Sequence, residues 1–274
     1  KDPLDPSVPD PNITVVLHGI PADATVTGAF YNSVNDTWVT DAATLNGGGV
    51  TVRPADNYSG PINFTVDAIA TNINLQQATT PAVPAQVYYT PVADPVLISF
   101  STPGGNEDVA IPINISAALT DLNGTPNENI IEPVVLRIYY SGAVTLSAGT
   151  QVGPDYHLTL AELAGLTITS APNNGDDITI VIDYTTREPA NGDTYVTTTT
   201  VVVPVTPVAD APSITFADVS GNEDSAIALT GLSAALVDID GSETLSVTIS
   251  GIPEGSILSA GANNGDGSWT IPLD

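Results

Sequence analysis

The residues best able to do chemistry in this sequence are carboxylates, and they recur at fixed places. Asp94 and Asp210 each close a Thr-Pro-Val-Ala-Asp segment, 116 residues apart (210 − 94 = 116). Glu107 and Asp108 end a Gly-Asn-Glu-Asp turn that returns at the same spacing as Glu223 and Asp224. Asp121 and Asn123 lie in Asp-Leu-Asn-Gly-Thr, whose counterpart Asp-Ile-Asp-Gly-Ser holds Asp238 and Asp240, with Glu243 directly after it. Asp67 and Asp183 come late in two strand-like stretches, again 116 residues apart (183 − 67 = 116). Short acidic turns of this kind offer flexible carboxylate and amide oxygens, the donor set of a hard cation that takes roughly six to eight oxygens at about 2.3–2.6 Å. Calcium is therefore the expected cofactor. Turn chemistry alone also selects Asp, Asn and Gly, because Asp and Asn hydrogen-bond their own backbone and Gly supplies positive φ. It does not demand that whole acidic triplets repeat. Asp238-x-Asp240-Gly241 matches only part of an EF-hand loop, without its remaining oxygen spacing, closing Glu or flanking helices.

Charge sharpens the question. Four Lys and Arg face 31 Asp and Glu, a net charge of −27 over 274 residues. Such a chain repels nucleic acid, and it repels itself when compact unless salt or bound divalent cations intervene. There is no Cys, so neither a disulfide nor a thiolate zinc site can staple the fold. No apolar run approaches the ~18 residues needed to cross a bilayer, so no membrane insertion is expected of this stretch. Hydrophobic residues make up 42% of the chain, enough to build cores rather than a disordered tail.

The elements that must position these acids read as strands. Apolar–polar alternation or β-branched runs cover Ile13 to Leu17, Gly49 to Val52, Ile62 to Val66, Val134 to Tyr139, Ile178 to Asp183 and Tyr195 to Val205. Gly, Pro, Asn and Asp clusters separate them at close intervals. Single helical turns are expected at Ser116 to Leu119 and Leu160 to Ala164, and little other helix. The spacing of 116 residues sets the domain organisation. Val15 to Pro21 corresponds to Val247 to Pro253, two spacings on (253 − 21 = 232). The expected division is 1–90, a module lacking its opening strands; 91–206, a complete module; and 207–274, the first part of a third. The fold class expected is all-β, built of tandem antiparallel β-sandwich modules.

Enzymatic chemistry has little to build on. His18 and His157 lie in strand-like surroundings, with no Ser, Cys or second His in a recurring motif, so neither a triad nor a two-His zinc site is visible. A glycosidase needs two carboxylates, but among 31 acids a pair carries no information. No catalytic residue is expected. The aromatics Trp38, Tyr58, Tyr139, Tyr140, Tyr156, Tyr184, Tyr195 and Trp269 could stack on sugars, and equally fill cores and cross-strand positions.

The Pro-Val-Ala-Asp junctions, the Gly-Asn-Glu-Asp turns, the acidic stretch Val237 to Glu243 and Ser250 to Pro253 together resemble the cadherin-like or Ig-like tandem repeats of giant bacterial RTX-type adhesins. The resemblance covers essentially the whole chain. It implies a secreted, bacterial cell-surface protein in which calcium-rigidified modules project ligand-binding domains for attachment and biofilm formation. The partners it implies are neighbouring modules of the same adhesin, and surface glycans or proteins if the region itself binds. It makes Asp94, Glu107, Asp108, Asp210, Glu223, Asp224, Asp238 and Asp240 the leading ligands. The middle copy departs from the pattern: Asn123 and Pro126 stand where the third copy has Asp240 and Glu243, and Asn127 to Pro133 looks inserted, so a weaker site, or none, is expected there.

Overall fold

A computed structural model describes residues 12–120 and 128–273. Of the acidic positions singled out above, Asp121 and Asn123 lie outside the described residues. The described chain is nearly all β, with several antiparallel sheets and one five-residue helix, Ala42–Asn46. That helix starts where Asp41 caps it, its carboxylate accepting the backbone N–H of Thr44 at 2.8 Å. These hydrogen bonds from Thr44 hold the Asp41 carboxyl below its ordinary pKa.

Two compact units divide the chain. The first comprises Lys1–Val96, Leu119–Ile131 and Thr185–Val196; the second comprises Leu97–Ala118, Glu132–Tyr184 and Thr197–Asp274. Each therefore contains one of the two Pro-Val-Ala-Asp junctions.

In the first unit, Asn12–His18 is flanked by Thr37–Asp41 and by the long strand Gly60–Thr71, all antiparallel. Phe30–Asn32 extends the sheet beyond Thr37–Asp41, while Val83–Tyr89 and Gln77–Thr79 pair with successive parts of Gly60–Thr71. A separate ribbon joins Thr25–Thr27 to Thr51–Arg53. The core brings the two together: Leu17, Ile20, Ala24 and Val26 are buried, with Trp38, Val50, Val52, Phe64 and Val66 packed against them.

In the second unit the main sheet runs Thr150–Val152, Asp155–Leu158, 132–139, 178–184 and 197–203. The last three are the portions within this unit of the strands Asn129–Tyr139, Ile178–Arg187 and Thr194–Val203. The alternation read in Ile178 to Asp183 is realised strictly: Ile178, Ile180, Ile182 and Tyr184 are fully buried, together with Val134 and Leu136 of the neighbouring strand. Smaller ladders pair Leu97–Ser101 with Asn114–Ala118, and Thr167–Thr169 with both Ile111–Pro112 and Thr145–Leu146. Ser116 to Ala118, expected as a helical turn, is thus strand. Its backbone pairs with Ser99 to Leu97, and that ladder overrides the local helix preference of Ala117 and Ala118. Leu160 to Ala164 is a series of turns closed by bonds such as Glu162 N–H to Thr159 O. Towards the end of the chain, Ser213–Thr215 pairs with Ser233–Ala235, and Trp269–Leu273 pairs with both Leu245–Ile249 and Ala262–Asn263.

The internal repeat has a structural counterpart in register. Leu17 lies opposite Trp38, Leu136 opposite Tyr156 and Ile249 opposite Trp269, always on antiparallel neighbours. The aromatic at that place is a cross-strand packing partner in all three copies.

Candidate metal centre

One acidic group among the described residues converges: a carboxylate oxygen each from Glu107, Asp238 and Asp240 lies within 4.8 Å of the others. All three belong to the second unit.

Local structure explains why these side chains meet. Gly105–Asn106 runs parallel to Val205–Thr206, and Glu107 N–H continues the pairing onto Thr206 O at 3.1 Å. Glu107 is thereby fixed beside the junction and only 1% exposed. Its Oε1 accepts the Val208 N–H at 2.6 Å, whereas its Oε2 is buried without a hydrogen-bond partner. Asp238, also buried, folds its own loop: Oδ1 accepts Asp240 N–H at 2.9 Å and Oδ2 the Ser242 hydroxyl at 3.0 Å. Asp240 is exposed and accepts Gly175 N–H at 2.8 Å and Ser242 N–H at 2.7 Å. Beside the junction, Glu243 Oε1 accepts the Asp210 N–H at 2.5 Å, leaving Glu243 Oε2 and Asp210 Oδ2 buried and unpartnered.

The electrostatics are unfavourable without a counter-charge. Burial drives the Glu107 carboxyl above its ordinary pKa, the Val208 N–H opposes this, and Asp238, Asp108 and Asp240 add to the rise. Asp240 goes the other way, held low chiefly by the Gly175 N–H and then by Ser242. A buried carboxylate oxygen with no donor costs about 1–3 kcal/mol or more. A cation among the three carboxylates removes that cost. The donor set is all oxygen, which fits a hard ion such as Ca²⁺ rather than zinc or copper. Glu107, Asp238 and Asp240 would hold it, and the ion would supply the positive charge that the chain lacks.

The other acidic positions divide cleanly. Asp108 and Asp224 both adopt left-handed backbone, each at φ 60°, and Asp108 accepts the Asn173 N–H at 3.1 Å. Within the same turns, a Cβ at Gly105 or Gly221 would come within 2.7 Å of Ile111 or Ile227. The repeated Gly-Asn-Glu-Asp motif is therefore partly backbone geometry. Glu223 and Asp224 are exposed and join no such group among the described residues. Asp67 and Asp183 are not gathered there either. Asp67 faces His18 at 3.3 Å, while Asp183 pairs with Arg137 and accepts the Thr198 hydroxyl at 2.6 Å. The same cross-strand contact thus recurs in two copies, from a His in one and an Arg in the other, with Asp67 and Asp183 partly screened on the sheet surface. His157 lies within the strand Asp155–Leu158 opposite Val135.

At the other junction, in the first unit, the Asp94 N–H donates to Glu128 Oε1 at 2.6 Å. This is the bond that Asp210 makes with Glu243. Glu128, almost fully buried, escaped the sequence reading because Pro126 stands opposite Glu243 when the repeats are aligned residue by residue. A loop from the end of the middle copy was missed as well: Asp193 accepts the Ala93 N–H at 3.0 Å, and the Asn191 side chain donates to Pro91 O at 2.7 Å.

The aromatics do not assemble into one platform. Tyr184 is fully buried, and burial pushes its hydroxyl up to about 12. Tyr31 and Trp38 pack at 5.1 Å, and Tyr58 and Tyr89 edge to face at 6.3 Å. Among the described residues, no helix is long and apolar enough to cross a membrane. No protein-family model and no curated protein sequence matches the chain.

Proposed function

We propose that the chain is a run of tandem β-sandwich modules whose junctions are stiffened by Ca²⁺, acting as an extender in a secreted bacterial surface adhesin. Its task is to project ligand-binding domains from the cell for attachment and biofilm formation, and it is not an enzyme. The observation that carries this reading is Glu107. It is a buried carboxylate with one oxygen satisfied by the junction's own Val208 N–H and the other unpartnered, close to Asp238 and Asp240. An ion there ties the turn of one repeat to the acidic loop of the next, across the Pro207-Val208-Ala209-Asp210 junction. Fixing such a short connection turns a flexible string into a rod. With an affinity between about 0.1 and 1 mM, calcium at ten to a hundred times the dissociation constant adds roughly 1.4–2.7 kcal/mol per site.

The test is small-angle scattering of the whole chain in chelator, in CaCl₂ and in MgCl₂ of equal ionic strength. An increase in maximum dimension and stiffness with calcium alone supports the extender. Identical profiles in all three would sink it.

A second reading, a glycan- or peptide-binding module, is favoured by one feature. The edge strand of the first unit carries Phe30 and Tyr31, where the structurally equivalent positions of the other copies hold Thr150 and Gln151, and Ala262 and Asn263. Phe30 is 84% exposed and Val34 at the hairpin tip 89%. An aromatic pair on this edge strand in one copy, with polar or small residues at the same two places in the others, suits binding better than scaffolding. Glycan-array binding that is lost in Phe30→Ala would move this reading ahead.

A further inference from the structure

Two asparagines, Asn57 and Asn173, share a geometry that has no metal in it. They lie 116 residues apart (173 − 57 = 116), each with left-handed backbone, at φ 61° and 54°. Each side-chain amide donates to a main-chain carbonyl: Asn57 Nδ2 to Thr120 O at 3.1 Å, and Asn173 Nδ2 to Val237 O at 3.2 Å. Thr120 and Val237 are themselves equivalent, each directly preceding the first Asp of the acidic loop in the repeat that follows. The first pair lies within the first unit and the second within the second.

Residue type follows from two demands made at once. Left-handed backbone is open to Gly, and among other residues chiefly to Asn and Asp. The bond to a carbonyl needs a side-chain donor, which Gly lacks and an ionised Asp cannot supply. Asn meets both. Around Asn173 the fit is close: its own N–H donates to Asp108, the Tyr140 hydroxyl donates to Asn174 O at 2.8 Å, and Gly175 N–H holds Asp240. A Cβ on Gly175 would approach Pro207 Cγ to 2.5 Å, so the turn sits directly on the junction.

We infer that Asn57 and Asn173 are inter-repeat clasps, positioning residues that fasten the turn of one repeat to the start of the next repeat's acidic loop without needing a cation. The clasp orders Asp238 and Asp240 before an ion arrives, so it raises ion affinity by preorganisation. Only that last consequence rests on the calcium reading.

The test is hydrogen exchange of the full chain in chelator, comparing wild type with Asn173→Gly, which keeps the left-handed backbone and deletes the donor, and with Asn173→Asp. The amides of Asp240 and Ser242, which are bonded within the acidic loop, are expected to exchange about fivefold faster in both variants, the worth of one hydrogen bond. Protection elsewhere should be unchanged. Unchanged exchange in that loop overturns the clasp, and so does a uniform loss of protection over the whole chain, which would mark a merely structural residue. In a parallel titration with Tb³⁺ followed by its luminescence, affinity should fall by a similar factor. Wild type that binds no Tb³⁺ or Ca²⁺ removes the calcium reading but leaves the exchange result to decide the clasp.

Discussion

Replacing Glu107 by Gln should change the sign of its effect on stability with calcium. The carboxylate oxygens of Glu107, Asp238 and Asp240 lie within 4.8 Å of one another. At that separation two full charges repel by about 1 kcal/mol with the screening of bulk water, and by about 3.5 kcal/mol at an effective dielectric near 20. Glu107→Gln removes two of the three repulsions and retains the Oε1 acceptor for Val208. The gain is reduced by the weaker bond that a neutral amide accepts, roughly 0.5–1.5 kcal/mol. Counting only the buried partner Asp238, since Asp240 is exposed, the variant in chelator is therefore expected to be more stable than wild type by up to about 3 kcal/mol, or up to about 10 °C in melting temperature for a chain of this size. In calcium the order closes or reverses, because wild type gains about 1.4–2.7 kcal/mol from the ion and the variant gains nothing at this place. The assay is thermal unfolding by circular dichroism in both buffers, with magnesium at equal ionic strength as the screening control. A variant that is destabilised in chelator and keeps the full calcium response would refute the reasoning, since Glu107 would then be neither strained nor a ligand.

The same group sets a pH dependence. Glu107 is raised above its ordinary value in the folded chain, so its contribution to stability is complete below the ordinary carboxylate range and is lost as pH rises through the raised value. In chelator, the advantage of Glu107→Gln over wild type should accordingly shrink as pH falls from neutrality towards that range, and calcium affinity measured by calorimetry should fall alongside. Asp240, held low by the Gly175 N–H, contributes above its ordinary range and loses that contribution only at lower pH, so it does not mask the effect. Tyr184 is fully buried with an unpartnered hydroxyl; Tyr184→Phe removes that burden and should be neutral or stabilising by up to about 1–2 kcal/mol in urea unfolding. Gly105→Ala and Gly221→Ala place a Cβ at the same 2.7 Å from an Ile. Ile111 is 1% exposed and has no room to withdraw, while Ile227 is 44% exposed and can yield, so the first should cost about 1–3 kcal/mol and the second much less.

Strands were most legible where one face is buried along a long run, because alternation then has a single physical cause. Ile178 to Tyr184 is the clearest case, and the cross-strand pairs at Leu17, Leu136 and Ile249 follow the repeat. Segments without alternation were not: Ala117 and Ala118 read as helix formers until a partner strand is known. The site was legible as a composition and not as a geometry. Spacing marked Glu107, Asp238 and Asp240 equally with Asp67, Asp183, Glu223 and Asp224, and only the fold separates acids that converge from acids that face a His or Arg across the sheet or stand in solvent. Asn57 and Asn173 carried no chemical signal at all, since an Asn in a turn is ordinary, and what distinguishes them is the carbonyl they reach.

Glu128 shows which quantity the repeat preserves. It comes seven residues after Asp121, whereas Glu243 comes five after Asp238 (128 − 121 = 7; 243 − 238 = 5), so the intervening loop has changed length. Yet both glutamates accept the N–H of the junction aspartate, Asp94 at 2.6 Å and Asp210 at 2.5 Å. A glutamate that served only to keep its loop in shape would follow the loop, and its partner would change with loop length. Here the partner is constant and the spacing drifts, so the constrained feature is a carboxylate at the junction.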